Sequence, residues 1–179
     1  MELIKAIKQR QSIRNFLKIS VNRADINVIL DAGRYAPSGL NNQPWRYIVI
    51  QNSNTIEKLA TCTKYSNIVK NAPLLIAVFL DSDASYNYIK DIQAIGASIQ
   101  NMLLVCVELN LGSVWLGEIL NRKEMVNLIL DVPESFELMA ILAIGHPDKE
   151  KMHDRKPRKD IFELGFNEKF PLQWECEIK

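Results

Sequence analysis

The sequence predicts an α/β or α+β sandwich built as one domain over residues 1–179. Four apolar stretches read as strands and interleave with five or six segments of helical periodicity. No stretch rich in Pro, Gly or Ser divides the 179 residues into halves, and no internal repeat or low-complexity tract breaks the order.

In chain order, residues 2–9 put Leu3, Ile4 and Ile7 on one side and lysines on the other, the spacing of an amphipathic helix. A second helix starts at Asn22, the cap, with Asp25 three residues on, and runs to about Tyr35 before Pro37 stops it. "APSGLNNQPW" holds two prolines, a glycine and two asparagines, and is a loop. "RYIVIQ" follows as a strand, "SNTIEKLATCTK" as a short helix and "PLLIAVFLD" as a buried strand. From about Tyr88 to Leu109, the residues Ile92, Ile95, Ile99, Met102, Leu103, Cys106 and Val107 recur at spacings of three and four, the longest helix of the chain. Gly96, Ala97 and Ser98 give it a small-residue surface that another helix could approach, and Gly112 is its expected stop. "SVWLG" is a short strand or extended loop, Asn121 with Glu124 resembles a capping box opening a helix to about Leu130, and "ELMAILAIG" is the last strand. Residues 149–159, "KEKMHDRKPRK", carry six basic and two acidic side chains and form an exposed positive segment.

Composition excludes several function classes. With 22 Lys plus Arg against 21 Asp plus Glu, nothing global points to nucleic acid or an anionic membrane. No apolar run approaches the roughly 20 residues of a membrane span. "MELIKAIKQR" lacks the continuous apolar core of a secretory leader, so a cytoplasmic location is expected. Cys62, Cys106 and Cys176 show no CxxC spacing and are expected to be reduced, with Cys106 a small buried hydrophobe. His146 and His153 join no cluster of ligand spacing, and no metal site is expected.

Four stretches are candidates for chemistry, each with a plain structural alternative. If "RQSIR" is extended, its two-residue period turns Arg10, Ser12 and Arg14 to one side, and two guanidinium forks with a hydroxyl suit phosphate. The alternative is a helix end with solvated arginines. "PSGLNNQPW" offers side-chain amides at Asn41 and Gln43, donor and acceptor side by side, as reading a heteroaromatic edge requires. An Asn-rich turn would look the same. "GSVWLGE" brackets an aromatic with glycines, so backbone near Gly117 could approach a flat ligand; the alternative is an edge strand with a core tryptophan. "KPRK", 156–159, is a second phosphate candidate or a solvated charge run. His146 has no base–nucleophile pair.

In this order and at these separations, "RQSIRNF", "APSGLNNQPWRYIVI", "NAPLLIAVFLD", "DIQAIGASIQNMLLVCVELNLGSVWLGE", "LAIGHPDKE" and "KPRKDIFEL" resemble the FMN-dependent nitroreductase family, over about residues 3–165. The resemblance implies an α+β fold with a central mixed, largely antiparallel sheet flanked by helices, and a homodimer holding FMN at its interface. It implies that Arg10 and Ser12 meet the ribityl phosphate, that Lys156 and Arg158 meet the same phosphate, and that Arg14 lies towards the pyrimidine ring. Pro37, Ser38, Asn41 and Gln43 would come from the other subunit, and the backbone of Leu116, Gly117 and Glu118 would face flavin N5, with further contacts around Asn67 and Lys70.

The implied activity is an NAD(P)H-dependent flavin oxidoreductase. Hydride passes from NAD(P)H through flavin N5 to an electron-poor acceptor (nitroaromatic, quinone or flavin) by a ping-pong mechanism, with Arg14 favouring the anionic reduced flavin. Such chemistry belongs to the cofactor, so no catalytic acid–base dyad or nucleophile is expected. Two alternatives stand beside it: a non-catalytic FMN-binding redox sensor, and a specialised flavoenzyme of the same fold. At 179 residues there is little room for the inserted helices that cover the site in longer family members. In "NEKFPLQWECEIK", Phe170, Leu172 and Trp174 alternate, and the segment 166–179 is expected to pack on the partner subunit.

Overall fold

All eight residues of strand β2, Leu74–Asp81, are buried, which places it inside a sheet covered on both faces. In a computed structural model, which describes residues 2–152 and 154–174, β2 pairs on one side with β1, Trp45–Ile50, and on the other with β4, Phe136–Gly145. Strand β3, Gly112–Leu116, completes the order β1-β2-β4-β3. Each pairing is antiparallel, with Trp45 opposite Leu80, Leu74 opposite Ile144 and Gly112 opposite Gly145. Among the described residues, a parallel contact enters only at the isolated bridge between Ser12 and Ser113. The fold is α+β, as expected.

The strand period divides the core. Leu74, Ile76, Val78 and Leu80 face one cluster, shared with helices α2, Arg23–Arg34, and α5, Tyr88–Glu108. Leu75, Ala77 and Phe79 face the other, shared with α3, Ser53–Ala60, with Val69 of α4, Ser66–Asn71, and with Val126 of α6, Lys123–Leu130. Helix α1, Leu3–Gln9, lies against α5, and α7, Ile161–Leu164, opens the C-terminal segment. Cys62 and Cys106 are buried free thiols, and burial pushes Cys106 up to about 12. Cys176 and His153 lie outside the described residues.

The caps confirm one expectation and correct two. Asn22 accepts the Asp25 amide at 2.8 Å and starts α2. Helix α5 is not stopped by Gly112. Asn110 turns left-handed at φ 57°, with its amide on the Val107 carbonyl and the Leu111 amide on the Cys106 carbonyl at 2.7 Å, a Schellman closure. Gly112 instead opens β3, where a Cβ would lie 2.6 Å from Cγ2 of Ile13. Nor does Asn121 cap α6. It sits inside a 3-10 turn, Glu118–Arg122, and α6 begins at Lys123 with no side-chain cap.

Among the described residues, no helix is long and apolar enough to cross a membrane and no cluster of three metal-binding side chains forms. Residues 175–179 of the expected partner-packing tail lie outside the described residues. In the rest of it Phe166 bridges to Gln173, while Phe170, Leu172 and Trp174 are exposed on the single chain.

Candidate functional site

The site grows from the way α1 ends. The Arg10 amide closes the helix on the Ala6 carbonyl at 2.8 Å, and the backbone then extends. The Ile13 amide donates to Ser113 of β3 at 3.0 Å and the Leu17 amide to His146 at 2.9 Å, so residues 10–17 run along the edge of the sheet. Ile13 packs against the second core cluster and Phe16 is buried within it, while Ser12 and Arg14 face out. Beyond Arg10, the C-cap of α1, the segment is extended, and Ser12 and Arg14 share its outer side as the two-residue period expects.

On the outer side lies a cleft of about 820 Å³ whose wall includes Lys8, Arg10, Ser12, Trp115, Lys156 and Arg158. A second cleft, of about 650 Å³, shares Arg10, Ser12, Lys156 and Arg158 with the first and continues to Arg14, Asn67 and Asn71. Arg155 borders both. The two basic stretches, about 145 residues apart in sequence, thus meet around one space. Trp115 is 43% exposed beside this space rather than a core tryptophan. Lys70 is instead paired with Glu57 at 3.0 Å.

Like charges crowd here. Burial, reinforced by the neighbouring Arg158 and Arg155, lowers the Arg10 pKa from its ordinary value. Among the described residues no carboxylate forms an ion pair with Arg10, Arg155, Lys156 or Arg158. Asp148, which borders the second cleft, is held by Lys151 at 2.9 Å. Cations with a hydroxyl and without a counter-charge form a receptor for an anion, and guanidinium forks match phosphate oxygens.

At the end of β3, Leu116 is buried in the core. Gly117 has open space where a Cβ would stand, with nothing within 4 Å, so its backbone can be approached closely. The Glu118 carboxylate turns away to the Thr63 hydroxyl and the Lys64 amide, at 3.1 Å for the latter. Despite burial, the Thr63 hydrogen bond first and then the Lys64 amide lower its pKa below the ordinary carboxylate value.

Pro37, Ser38, Asn41 and Gln43 stand elsewhere. Their loop packs on the first turn of α5 through Asn42 and Asp91, whereas the basic cleft meets α5 at Gln100 and Leu103. Nine residues of helix, about 14 Å of rise, separate Asp91 from Gln100. Within one chain the structure gathers Arg10, Ser12, Arg14, Lys156 and Arg158 and leaves the amide loop apart from them. Arg155 and Lys8 were missed in the sequence, although Arg155 directly precedes "KPRK".

A helix-flanked antiparallel sheet with a cation-lined cleft beside its edge strand makes the molecule an α+β protein with a candidate anion site. The chain belongs to the nitroreductase family, whose profile matches residues 7–64 and 57–146. That match stops before Lys156 and Arg158. A provisionally named NADH dehydrogenase/NAD(P)H nitroreductase of Archaeoglobus fulgidus is 33% identical over 153 residues, covering 84% of this chain and 88% of its own. The NADPH-flavin oxidoreductase of Vibrio harveyi is 26% identical over 167 residues, covering 87% of this chain and 69% of its own. Among solved structures, a provisionally named nitroreductase from Desulfovibrio desulfuricans in complex with FMN has a TM-score of 0.86 at 43% identity, covering 96% of this chain and 99% of that one.

Proposed function

We propose that this chain is an FMN-dependent oxidoreductase that takes electrons from NAD(P)H and passes them to an electron-poor small molecule, a nitroaromatic, quinone or flavin. The observation that carries the reading is the unneutralised cluster of Arg10, Arg155, Lys156 and Arg158 around Ser12. The donor set fits a flavin mononucleotide: a phosphate monoester carries about −1.5 to −2 charges at neutral pH, and the cluster supplies cations and a hydroxyl, with Asp148 and Asp154 on the wall of the second cleft but, among the described residues, in no ion pair with Arg10, Arg155, Lys156 or Arg158.

In this reading Arg10, Ser12, Lys156 and Arg158 hold the phosphate, and Arg14 keeps positive charge beside the ring system. The open backbone at Gly117 admits a flat group, with Leu116 anchoring the strand from the core and Glu118 fixing the turn after it. When bound, FMN supplies the two-electron exchange that no side chain here can perform. Donor and acceptor use the same open side in turn, a ping-pong order. Pro37, Ser38, Asn41 and Gln43 complete the site from a second copy of the chain, which accounts for their separation from the cleft in one copy.

Absorbance of the purified protein, followed by anaerobic NADH and then NADPH, tests this. Flavin bands that bleach with either donor support the reading and identify that donor. Bands persisting under both leave a flavin-binding protein without reductase activity. A colourless protein that takes up no added FMN refutes the assignment.

A further inference from the structure

The loop that carries Ser38, Asn41 and Gln43 is strained. Leu40, Asn41 and Gln43 all adopt left-handed backbone angles, with φ of 54°, 56° and 48°, and none is glycine. Such conformations persist where surrounding contacts over-determine them. The contacts converge on Asp91, which is fully buried in the first turn of α5. Its Oδ1 accepts from Asn42 Nδ2 at 2.9 Å, and the same Nδ2 reaches the Ala84 carbonyl at 2.9 Å. Its Oδ2 accepts from the Ser85 hydroxyl at 2.6 Å and from the Tyr86 and Asn87 amides at 3.0 Å each. Burial alone would raise the Asp91 pKa; these donors outweigh it and hold the carboxyl below its ordinary value.

Tyr86 supplies a second link. Its ring fills the space beside Gly39, where a Cβ would come within 2.0 Å of the Tyr86 hydroxyl. Asp91 thus grips the loop twice, directly through Asn42 and indirectly by fixing the backbone of the residue that packs on Gly39. From the other side Ser38 Oγ accepts the Gln43 amide at 3.1 Å, and Arg46, paired with Asp81 at 2.6 Å, donates to the Gln43 carbonyl at 3.1 Å. The strained residues are left facing outward: Asn41 and Gln43 are exposed, and Leu40 is 86% exposed.

We infer that Asn42 and Asp91 form a positioning pair that sets the 38–43 loop in the shape in which Asn41 and Gln43 present their amides to the flavin held by a second copy. Neither touches the cofactor; they act through the backbone of their neighbours. The inference rests on the FMN reading above, which places Asn41 and Gln43 at the flavin.

Asn42→Ala removes the link and leaves three donors on Asp91 Oδ2, and retention of the fold is read from unchanged exchange in β2. Asp91→Asn is the second variant, preserving shape while setting two amide groups against each other. Amide hydrogen exchange over residues 36–44 is expected to speed up at least tenfold in Asn42→Ala, with β2 unchanged, and the FMN dissociation constant to rise at least tenfold with an altered flavin circular dichroism band. In the double variant the effects are smaller than the sum of the two single variants, because the Asn42–Asp91 contact is lost in each. Unchanged exchange over 36–44 in Asn42→Ala overturns the inference. So does faster exchange with wild-type FMN affinity and spectrum, which would mean the loop is held for another purpose. A wild-type protein that takes up no FMN is seen before any variant is made; it overturns the proposed function and the cofactor role of the pair together.

Discussion

The Glu118 carboxylate accepts hydrogen bonds from the Thr63 hydroxyl and the Lys64 amide, tying the turn after β3 to the loop that follows α3, 55 residues earlier. Its pKa is lowered in the fold from the ordinary value of 4.5. A lowered acid stabilises the fold above its unfolded pKa and loses that contribution as pH falls through the folded value. Glu118→Gln is therefore expected to lower the urea midpoint at pH 7, with the gap to wild type closing below about pH 4. Denaturation curves between those limits check it; a gap that stays constant with pH would show that the carboxylate charge does not matter there.

Arg155 stands close enough to Arg10 to lower its pKa and borders both clefts. Without an anion the repulsion works against the fold, so Arg155→Gln is expected to raise the melting temperature of the flavin-free protein by on the order of 1 °C. With inorganic phosphate present the order reverses, because the wild type gains more from the anion. Thermal melts with and without phosphate at fixed ionic strength read both. A phosphate response equal in the two proteins would place Arg155 outside the anion site.

Tyr47 and Ser98 share a hydrogen bond of 2.5 Å between β1 and α5, and Ser98 is completely buried. Tyr47→Phe leaves the serine hydroxyl without that partner, a loss of about 1–2 kcal/mol, or roughly 3–6 °C at this size. Removing both hydroxyls in Tyr47→Phe/Ser98→Ala is expected to recover part of it. Additive losses in calorimetry would mean the bond contributes nothing of its own. The Tyr47 hydroxyl, pushed up to about 12 mainly by burial, stays protonated throughout.

Much of this was legible in the sequence because the deciding signals are local. The run "LLIAVFL", the spacing of Ile95, Ile99 and Met102, and the Asn22 cap each act within a few residues, and each lies where expected. Asn110 was passed over because glycine is the commoner left-handed stop and Gly112 stood two residues on. Asn121 has the cap spacing, but its side chain turns to Glu118 within a 3-10 turn. Helices α4 and α7, of six and four residues, are too short to show a period. At the site, Arg10, Ser12 and Arg14 were legible because an extended segment repeats every two residues. Asn42 and Asp91, 49 residues apart, carry no local sign of their contact.

Phe170, Leu172 and Trp174 are 78%, 51% and 49% exposed, and on α1 Leu3 and Ile4 are 66% and 61% exposed, more bare apolar surface than a lone chain gains from. We propose that the segment 166–179 covers itself on a partner copy, an arrangement in keeping with the proposal that a second copy brings its 37–43 loop to the basic cleft. Each large side chain buried in this way contributes on the order of 2 kcal/mol, so Phe170→Ala with Leu172→Ala should weaken the dimer by a hundredfold or more. FMN affinity should fall in parallel, because Ser38, Asn41 and Gln43 leave with the partner. Sedimentation across a dilution series, read together with flavin fluorescence, measures both. A dimer of undiminished strength in the protein lacking residues 166–179 would move the interface elsewhere, and a monomer that keeps its FMN affinity would show that one chain holds the cofactor alone.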